Sequence, residues 1–145
     1  MTKRILTGVD GSDTALAAAR KAAELAVSLG GELRVISAYG KFEAERVQLG
    51  GEEFYFSTEQ DALTVASDVV TALRPDFPGL QMVAAAASGK PGEALVEEAE
   101  RVKADLIVVG NKRVQGPARV LGSVARDVAV RASCDVYIAN TRAKK

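Results

Sequence analysis

Two short segments that follow apolar runs hold most of the residues suited to binding a ligand. Asp10–Gly11–Ser12 comes after residues 5–9, and a glycine-marked segment begins at Gly110 and ends at Gly122–Ser123. Glycine lets the backbone approach a ligand without a Cβ in the way. A helix that opens at Ser123 would add a hydroxyl to free N–H groups, and its dipole would favour phosphate oxygens. The pattern therefore predicts an anion site.

The composition removes several kinds of catalysis. The chain has no histidine, which excludes imidazole as a base, a nucleophile or a metal ligand. Cys134 is the only cysteine, so there is no internal disulfide; it is expected to pack as a small hydrophobe in a reducing compartment. No residue is placed to activate water, and we expect a binding protein with at most slow hydrolysis of its ligand.

The apolar pattern alternates between strands and helices along all 145 residues. Strands are predicted at 5–9, 33–39, 80–86, 106–109 and 136–139, and helices at 13–29, 58–73, from Pro91 onward, and 123–132. Such alternation predicts one α/β domain over 1–145, a three-layer, doubly wound, five-stranded parallel sheet. In this fold ligands bind beyond the carboxyl ends of the strands, where both glycine-containing segments begin.

Several motifs together resemble the universal stress protein family. Gly110 and Gly122–Ser123 are similar to its nucleotide loop, Val9–Asp10–Gly11–Ser12 to its first-strand signature, and Gly89–Lys90–Pro91 to a turn before a helix. The resemblance implies a strand order of 3-2-1-4-5. It covers nearly the whole chain, and only 41–57 match no motif; a lid, a dimer contact and a plain loop all remain open there.

The resemblance implies a site for ATP or another adenine nucleotide. It would place Asp10 near the ribose or a phosphate-bound magnesium, Ala38 near the adenine, and Gly110 and Ser123 at the phosphates. A simpler interpretation of Asp10 is a helix cap, and of Gly122–Ser123 a plain helix start. The full candidate set is Gly8, Val9, Asp10, Ala38, Val109, Gly110, Asn111, Arg113, Gly116, Gly122, Ser123 and Val124.

The chain departs from the family's ATP-binding pattern at two points. Arg113 stands where a second glycine is expected, and eight residues rather than nine separate it from Gly122. Gly116 can restore backbone freedom, and Arg113 or Lys112 can pair with phosphate. The departures keep a second interpretation open, in which the protein is a nucleotide-independent homodimer. In both interpretations the resemblance implies that two copies pair through the last strand, 136–139.

Other nucleotide and phosphate folds fit the sequence less well. Around Gly89–Lys90 the spacing of a P-loop is broken by Ala84 and Pro91, and no aspartate follows the third strand as a receiver domain requires. A flavodoxin would need a hydroxyl-rich first loop and more aromatic residues.

Charge and hydropathy limit the partners. Nineteen basic and nineteen acidic residues cancel, which argues against nucleic acid, and the apolar run at 5–9 is too short for a signal peptide or a membrane span. We therefore expect a cytoplasmic protein.

Overall fold

The computed structural model describes residues 2–40, 58–111 and 121–141, and its centre is a parallel sheet. The sheet runs in the order β3-β2-β1-β4-β5, as predicted, and every neighbouring pair is parallel. Its strands are β1 (Arg4–Gly8), β2 (Glu32–Tyr39), β3 (Met82–Ser88), β4 (Leu106–Asn111) and β5 (Asp135–Asn140).

The helices of the described residues lie on both faces of this sheet. They are α1 (Asp13–Leu29), α2 (Glu59–Leu73), α3 (Pro91–Val102) and α4 (Ser123–Arg131), with a 3-10 turn at Arg74–Asp76 after α2. Local chemistry sets their ends. Ser12 caps the start of α1, Gly30 ends it with a positive φ of 68°, and Pro91 occupies the first turn of α3.

Two apolar clusters make the three layers. On one face, α1 and α2 cover β1, β2 and β3, and the buried face of α1 consists of alanines that let the helix lie close to the sheet. On the other face, α3 and α4 pack over Leu6, Ile36, Ile107 and Val109. Because both faces are covered, consecutive residues of β1 and β4 are buried rather than alternating with exposed ones, and Thr7 is the polar member of the buried run in β1.

The predicted bounds differ from the observed ones mainly at the third strand. The strand begins at Met82 rather than at residue 80, because Leu80 donates its N–H to the carbonyl of Phe77 in a turn and the parallel register pairs Met82 with Leu33. The other strands and helices agree with the prediction to within two residues at each observed end.

Two further expectations concern Cys134 and membranes. Cys134 is half-buried against the cluster under α3 and α4, as expected for a small hydrophobe, and burial raises the pKa of its thiol. In the ranges that the structure describes, no helix combines the length and apolarity needed to cross a membrane.

Gly92 sets how closely α3 approaches α4. A Cβ at Gly92 would lie 2.6 Å from the Cβ of Asp127, a distance that the two helix backbones do not allow. Arg131 and Glu93 form an ion pair of 3.6 Å across the same seam, and both members are well exposed, so the pair adds little stability. The absence of a side chain at Gly92 therefore lets the first turn of α3 pack against the middle of α4.

We predict that Gly92→Ala lowers the free energy of unfolding by up to about 2 kcal/mol. Overpacking costs about 1–3 kcal/mol, and the better helix propensity of alanine returns about 1 kcal/mol at most. Gly79→Ala is the matched control, because no atom lies within 4 Å of its Cβ position. Urea unfolding of both variants measures the difference, and equal stabilities would show that the seam tolerates a methyl group.

Candidate functional site

A cavity of about 480 Å³ opens at the carboxyl edge of the sheet, a size typical of small-molecule sites. It lies where β1, β2 and β4 end and where the described helices begin. Because the strands are parallel and each crossover returns to the opposite edge, the N-termini of α1, α2, α3 and α4 all face this end of the molecule. The lining residues are Gly8, Val9, Asp10, Ser12, Thr14, Ala15, Ile36, Ser37, Ala38, Asp61, Val65, Pro91, Ala94, Leu95, Val109, Gly110 and Val124.

Most of the candidate residues from the sequence meet at this cavity. Seven of them line it, namely Gly8, Val9, Asp10, Ala38, Val109, Gly110 and Val124. Asn111, Gly122 and Ser123 lie directly beside them, at the end of β4 and the start of α4. Arg113 and Gly116 lie outside the described residues.

Asp10 shapes the turn that leads into α1. Its Oδ1 accepts the N–H of Ser12 at 3.0 Å, and the hydroxyl of Ser12 in turn accepts the N–H of Ala15 at 3.1 Å. Ser12 is therefore the residue that caps the helix, and Asp10 supports the preceding turn. The Asp10 carboxylate is also exposed and lines the cavity, so it is available to a ligand as well.

The helix N-termini at this edge fall into two groups. Ser12 caps α1, and Thr58 and Asp61 cap α2 reciprocally, so side chains already occupy part of the first-turn N–H groups there. Neither Lys90 before α3 nor Gly122 before α4 provides a side-chain cap. The first turn of α3 contains Glu93, whereas that of α4 contains no acid. The start of α4 is thus the one among these four that best suits an anion.

Gly110 has a packing role that the sequence did not indicate. A Cβ there would point toward α1, 3.1 Å from the Cβ of Ala18 and 3.3 Å from the carbonyl oxygen of Thr14, and would lie 3.0 Å from a methyl carbon of Thr141. Glycine at the end of β4 therefore lets α1 lie against the strand, in addition to exposing the backbone to the cavity.

Asn111 links the two ends of the segment between β4 and α4. Its side chain is buried, with 3% of its surface exposed, and its Oδ1 accepts the N–H of Gly122 at 2.9 Å. Gly122 has ordinary backbone angles for a helix N-cap, φ −67° and ψ 166°. The helix start that the sequence predicted at Gly122–Ser123 is confirmed. The side chain of Asn111, at the end of β4, holds this helix start through the hydrogen bond to Gly122.

Ten of the seventeen residues that line the cavity are outside the candidate set from the sequence. Ser12 belongs to the segment after β1 that the sequence singled out, and Asp61 could have been found as a polar residue in the first turn of a helix. Ile36, Leu95 and Val65 had no such signal, because their types and spacing match those of core residues. The other residues missed are Thr14, Ala15, Ser37, Pro91 and Ala94.

The model for the universal stress protein family matches residues 1–140 of this chain. The chain belongs to the universal stress protein family. Among relatives, this family member is similar to a universal stress protein of Mycobacterium tuberculosis, with 32% identity over 150 aligned positions, covering 96% of this chain and 97% of the relative. A universal stress protein of Methanocaldococcus jannaschii is also 32% identical, over 94% of this chain and 81% of its own length.

Solved structures of universal stress proteins share the fold. A universal stress protein in complex with cAMP is 30% identical with a TM-score of 0.71, covering 96% of this chain and 97% of that one. The universal stress protein from Archaeoglobus fulgidus in complex with dAMP is 26% identical with a TM-score of 0.69, covering 94% and 96%.

We predict that Gly110→Ala destabilises the ligand-free protein by about 1 kcal/mol, because the new methyl group would force α1 away from β4. Gly8→Ala, at the end of the neighbouring strand, is the control. The tightest contact of its Cβ would be with the flexible end of Leu95 at 3.2 Å, while the carbonyl oxygen of Ile36 lies at an ordinary 3.9 Å, so the substitution should cost less. Thermal unfolding without ligand compares them, and a Gly8→Ala variant less stable than Gly110→Ala would contradict the packing role of Gly110.

Proposed function

We propose that this universal stress protein binds an adenine nucleotide, with ATP as the leading candidate, and acts as a regulatory module in a stress response. Binding rather than turnover would be its biochemical act. The observation that carries the proposal is the start of α4, which has no side-chain cap and no acid in its first turn and which reaches the cavity through Val124. The relatives whose structures contain cAMP and dAMP support an adenine nucleotide as the ligand class.

The phosphates would lie at the junction of β4 and α4. There Gly110 offers backbone, Ser123 an exposed hydroxyl, and Ser123 and Val124 the N–H groups of a first helical turn. The carboxylates of Asp10 and Asp61 line the cavity at the starts of α1 and α2. Since those acids would repel phosphate, the electrostatics favour phosphates at α4 over either of these positions.

The base would lie over the end of β2, beside Ala38. The walls there include the apolar side chains of Ile36, Val65 and Leu95. A small residue such as Ala38 leaves room for a planar ring, and apolar walls with a few polar groups are typical of cofactor pockets. Specificity for adenine would then come from backbone groups rather than from charged side chains.

Magnesium would enter with the nucleotide rather than through a protein site. Over the described ranges, no group of three or more acidic or cysteine side chains is arranged to hold a metal ion. Mg²⁺ commonly binds through one or two carboxylates together with substrate phosphates. The exposed carboxylate of Asp10 fits that role, since it lines the same cavity.

The proposal extends to the setting of the protein. We place it in the cytoplasm as one domain spanning 1–145, in keeping with its single cysteine and balanced charge. Neither nucleic acid nor a membrane is proposed as a partner.

Titration calorimetry of nucleotide-free protein with ATP, ADP, AMP and cyclic AMP, with and without magnesium, tests the proposal. Binding of at least one of them should be seen, and tighter binding with more phosphates would support the placement at α4. If none binds to protein shown to be free of co-purified nucleotide, the nucleotide proposal is wrong and the nucleotide-independent homodimer becomes the better hypothesis.

We predict that Gly122→Val folds but loses at least tenfold in ATP affinity. The backbone angles of Gly122 suit any residue, and its Cβ would lie 3.4 Å from the Oδ1 of Asn111, an ordinary contact. A β-branched side chain would, however, stand at the open start of α4, where the proposal puts phosphate. Calorimetry with circular dichroism checks both parts, and Gly79→Ala, far from the cavity, serves as the control.

Pairing of two copies through β5 is a second part of the proposal. β5 lies at the edge of the sheet, where strand backbone is available to another chain, and its Tyr137 is 39% exposed. Val136 and Ile138, on the opposite face of β5, are half-buried against α4 and would continue the apolar layer across such a pair. A homodimer formed this way is compatible with nucleotide binding, because the cavity lies at the strand ends.

We predict that Tyr137→Lys shifts the protein from dimer to monomer, since a lysine on an edge strand disfavours pairing with a second strand. Val130→Lys is the matched control: Val130 is 77% exposed but lies on α4, away from the strand edge. Sedimentation velocity over a range of concentrations reports the state of each. A parent protein that is monomeric at all concentrations, or a Tyr137→Lys dimer as tight as the parent, would contradict pairing through β5.

A further inference from the structure

The hydrogen bond between Asn111 and Gly122 joins a strand end to a helix start across eleven positions of the chain. Asn111 is the last residue of β4, and β5 flanks it on one side, so its backbone belongs to the sheet. Its side chain is almost completely buried. A buried amide held in this way has little freedom to turn toward a ligand.

Gly122 is held from more than one direction. Its N–H donates to Asn111 at 2.9 Å, and its carbonyl accepts the N–H of Arg126 at 2.9 Å, the first hydrogen bond of α4. The guanidinium of Arg126 also donates to the carbonyl of Leu121 at 3.0 Å. The helix fixes the carbonyl side of Gly122, and the sheet fixes its N–H through Asn111.

The N–H donors at the start of α4 differ in whether they already donate a hydrogen bond within the protein. The N–H of Gly122 is already engaged, so it does not point to the cavity as a donor. The N–H groups of Ser123, Val124 and Ala125, which precede the first hydrogen bond within the helix, and the exposed hydroxyl of Ser123 are the donors that remain. The direction in which they point depends on where the first turn of α4 is held.

We propose that Asn111 is a positioning residue for the phosphate end of the nucleotide site. It would hold the first turn of α4 against the sheet through the N–H of Gly122, and so aim the N–H groups of Ser123 and Val124 without itself touching the nucleotide. The inference rests on the proposed function.

Amide hydrogen exchange without ligand tests the hydrogen bond itself. The Gly122 amide should be protected in the parent protein, exchange at least tenfold faster in Asn111→Ala, and regain protection in Asn111→Asp, which keeps an acceptor oxygen at the same position. Gly122 protection that is unchanged in Asn111→Ala would overturn the inference.

Affinities for ATP and adenosine then test the positioning role. Asn111→Ala should weaken ATP binding about tenfold and leave adenosine binding within twofold, because only the phosphates reach α4. Thr7→Val is the control for lost stability: it removes another buried side-chain hydrogen bond, from the Thr7 hydroxyl to the carbonyl of Val108 at 2.9 Å, within the sheet. This control should not change the ratio of the two affinities.

The outcomes separate this inference from the proposed function. Lost Gly122 protection with an unchanged ratio of ATP to adenosine affinity would show that the hydrogen bond exists but positions no phosphate, which overturns the inference alone. A parent protein that binds neither ligand would overturn the proposed function and the positioning role together, whatever the exchange rates. An equal fall for ATP and adenosine in Asn111→Ala, also seen in Thr7→Val, would indicate a general loss of structure and overturn the inference.

Discussion

The parallel direction of all five strands is the constraint on which the site depends. A parallel strand requires a crossover back to the opposite edge, and in this chain the described helices make those crossovers. Every one of these helices therefore begins at the carboxyl edge of the sheet. The free N–H groups and the positive ends of the helix dipoles gather at one end of the molecule, which makes that end attractive to an anion before any side chain contributes.

Side chains then decide which of these helix starts remains available. Ser12 at α1, and Thr58 with Asp61 at α2, satisfy N–H groups and bring acidic residues nearby. A glycine N-cap at α4 lacks a side-chain cap, which costs only about a few tenths of a kcal/mol, and leaves the first turn open. The strand residue Asn111 replaces part of the lost support from outside the helix. The proposed polarity of the cavity, with acids at one side and open N–H groups at the other, follows from this distribution.

Much of the fold and of the site could be predicted from local patterns. The alternation of strand and helix, the cap at Ser12, the glycine stop at Gly30 and the helix start at Gly122–Ser123 are each encoded within a few neighbouring residues. The third strand was placed two residues early because Leu80 is apolar and buried, yet its N–H is used in a turn with Phe77. Ile36 and Leu95 were not recognised as cavity residues because an apolar side chain has the same appearance in sequence whether it faces a core or a ligand.

The amino-acid sequence alone determined the fold class and the edge of the sheet where a ligand would bind. It also determined that the residues at the end of β1 and at the start of α4 lie at that edge. Both follow from the sequence because periodicity and capping act over short distances along the chain. Tertiary structure decided what Gly110 and Asn111 do. The space beside Gly110 is filled by Ala18 and Thr14, more than ninety positions earlier in the chain, and the acceptor for Gly122 comes from a different element. Such contacts depend on the distance and the angle at which each crossover packs a helix against its strand. No local sequence pattern specifies these two quantities.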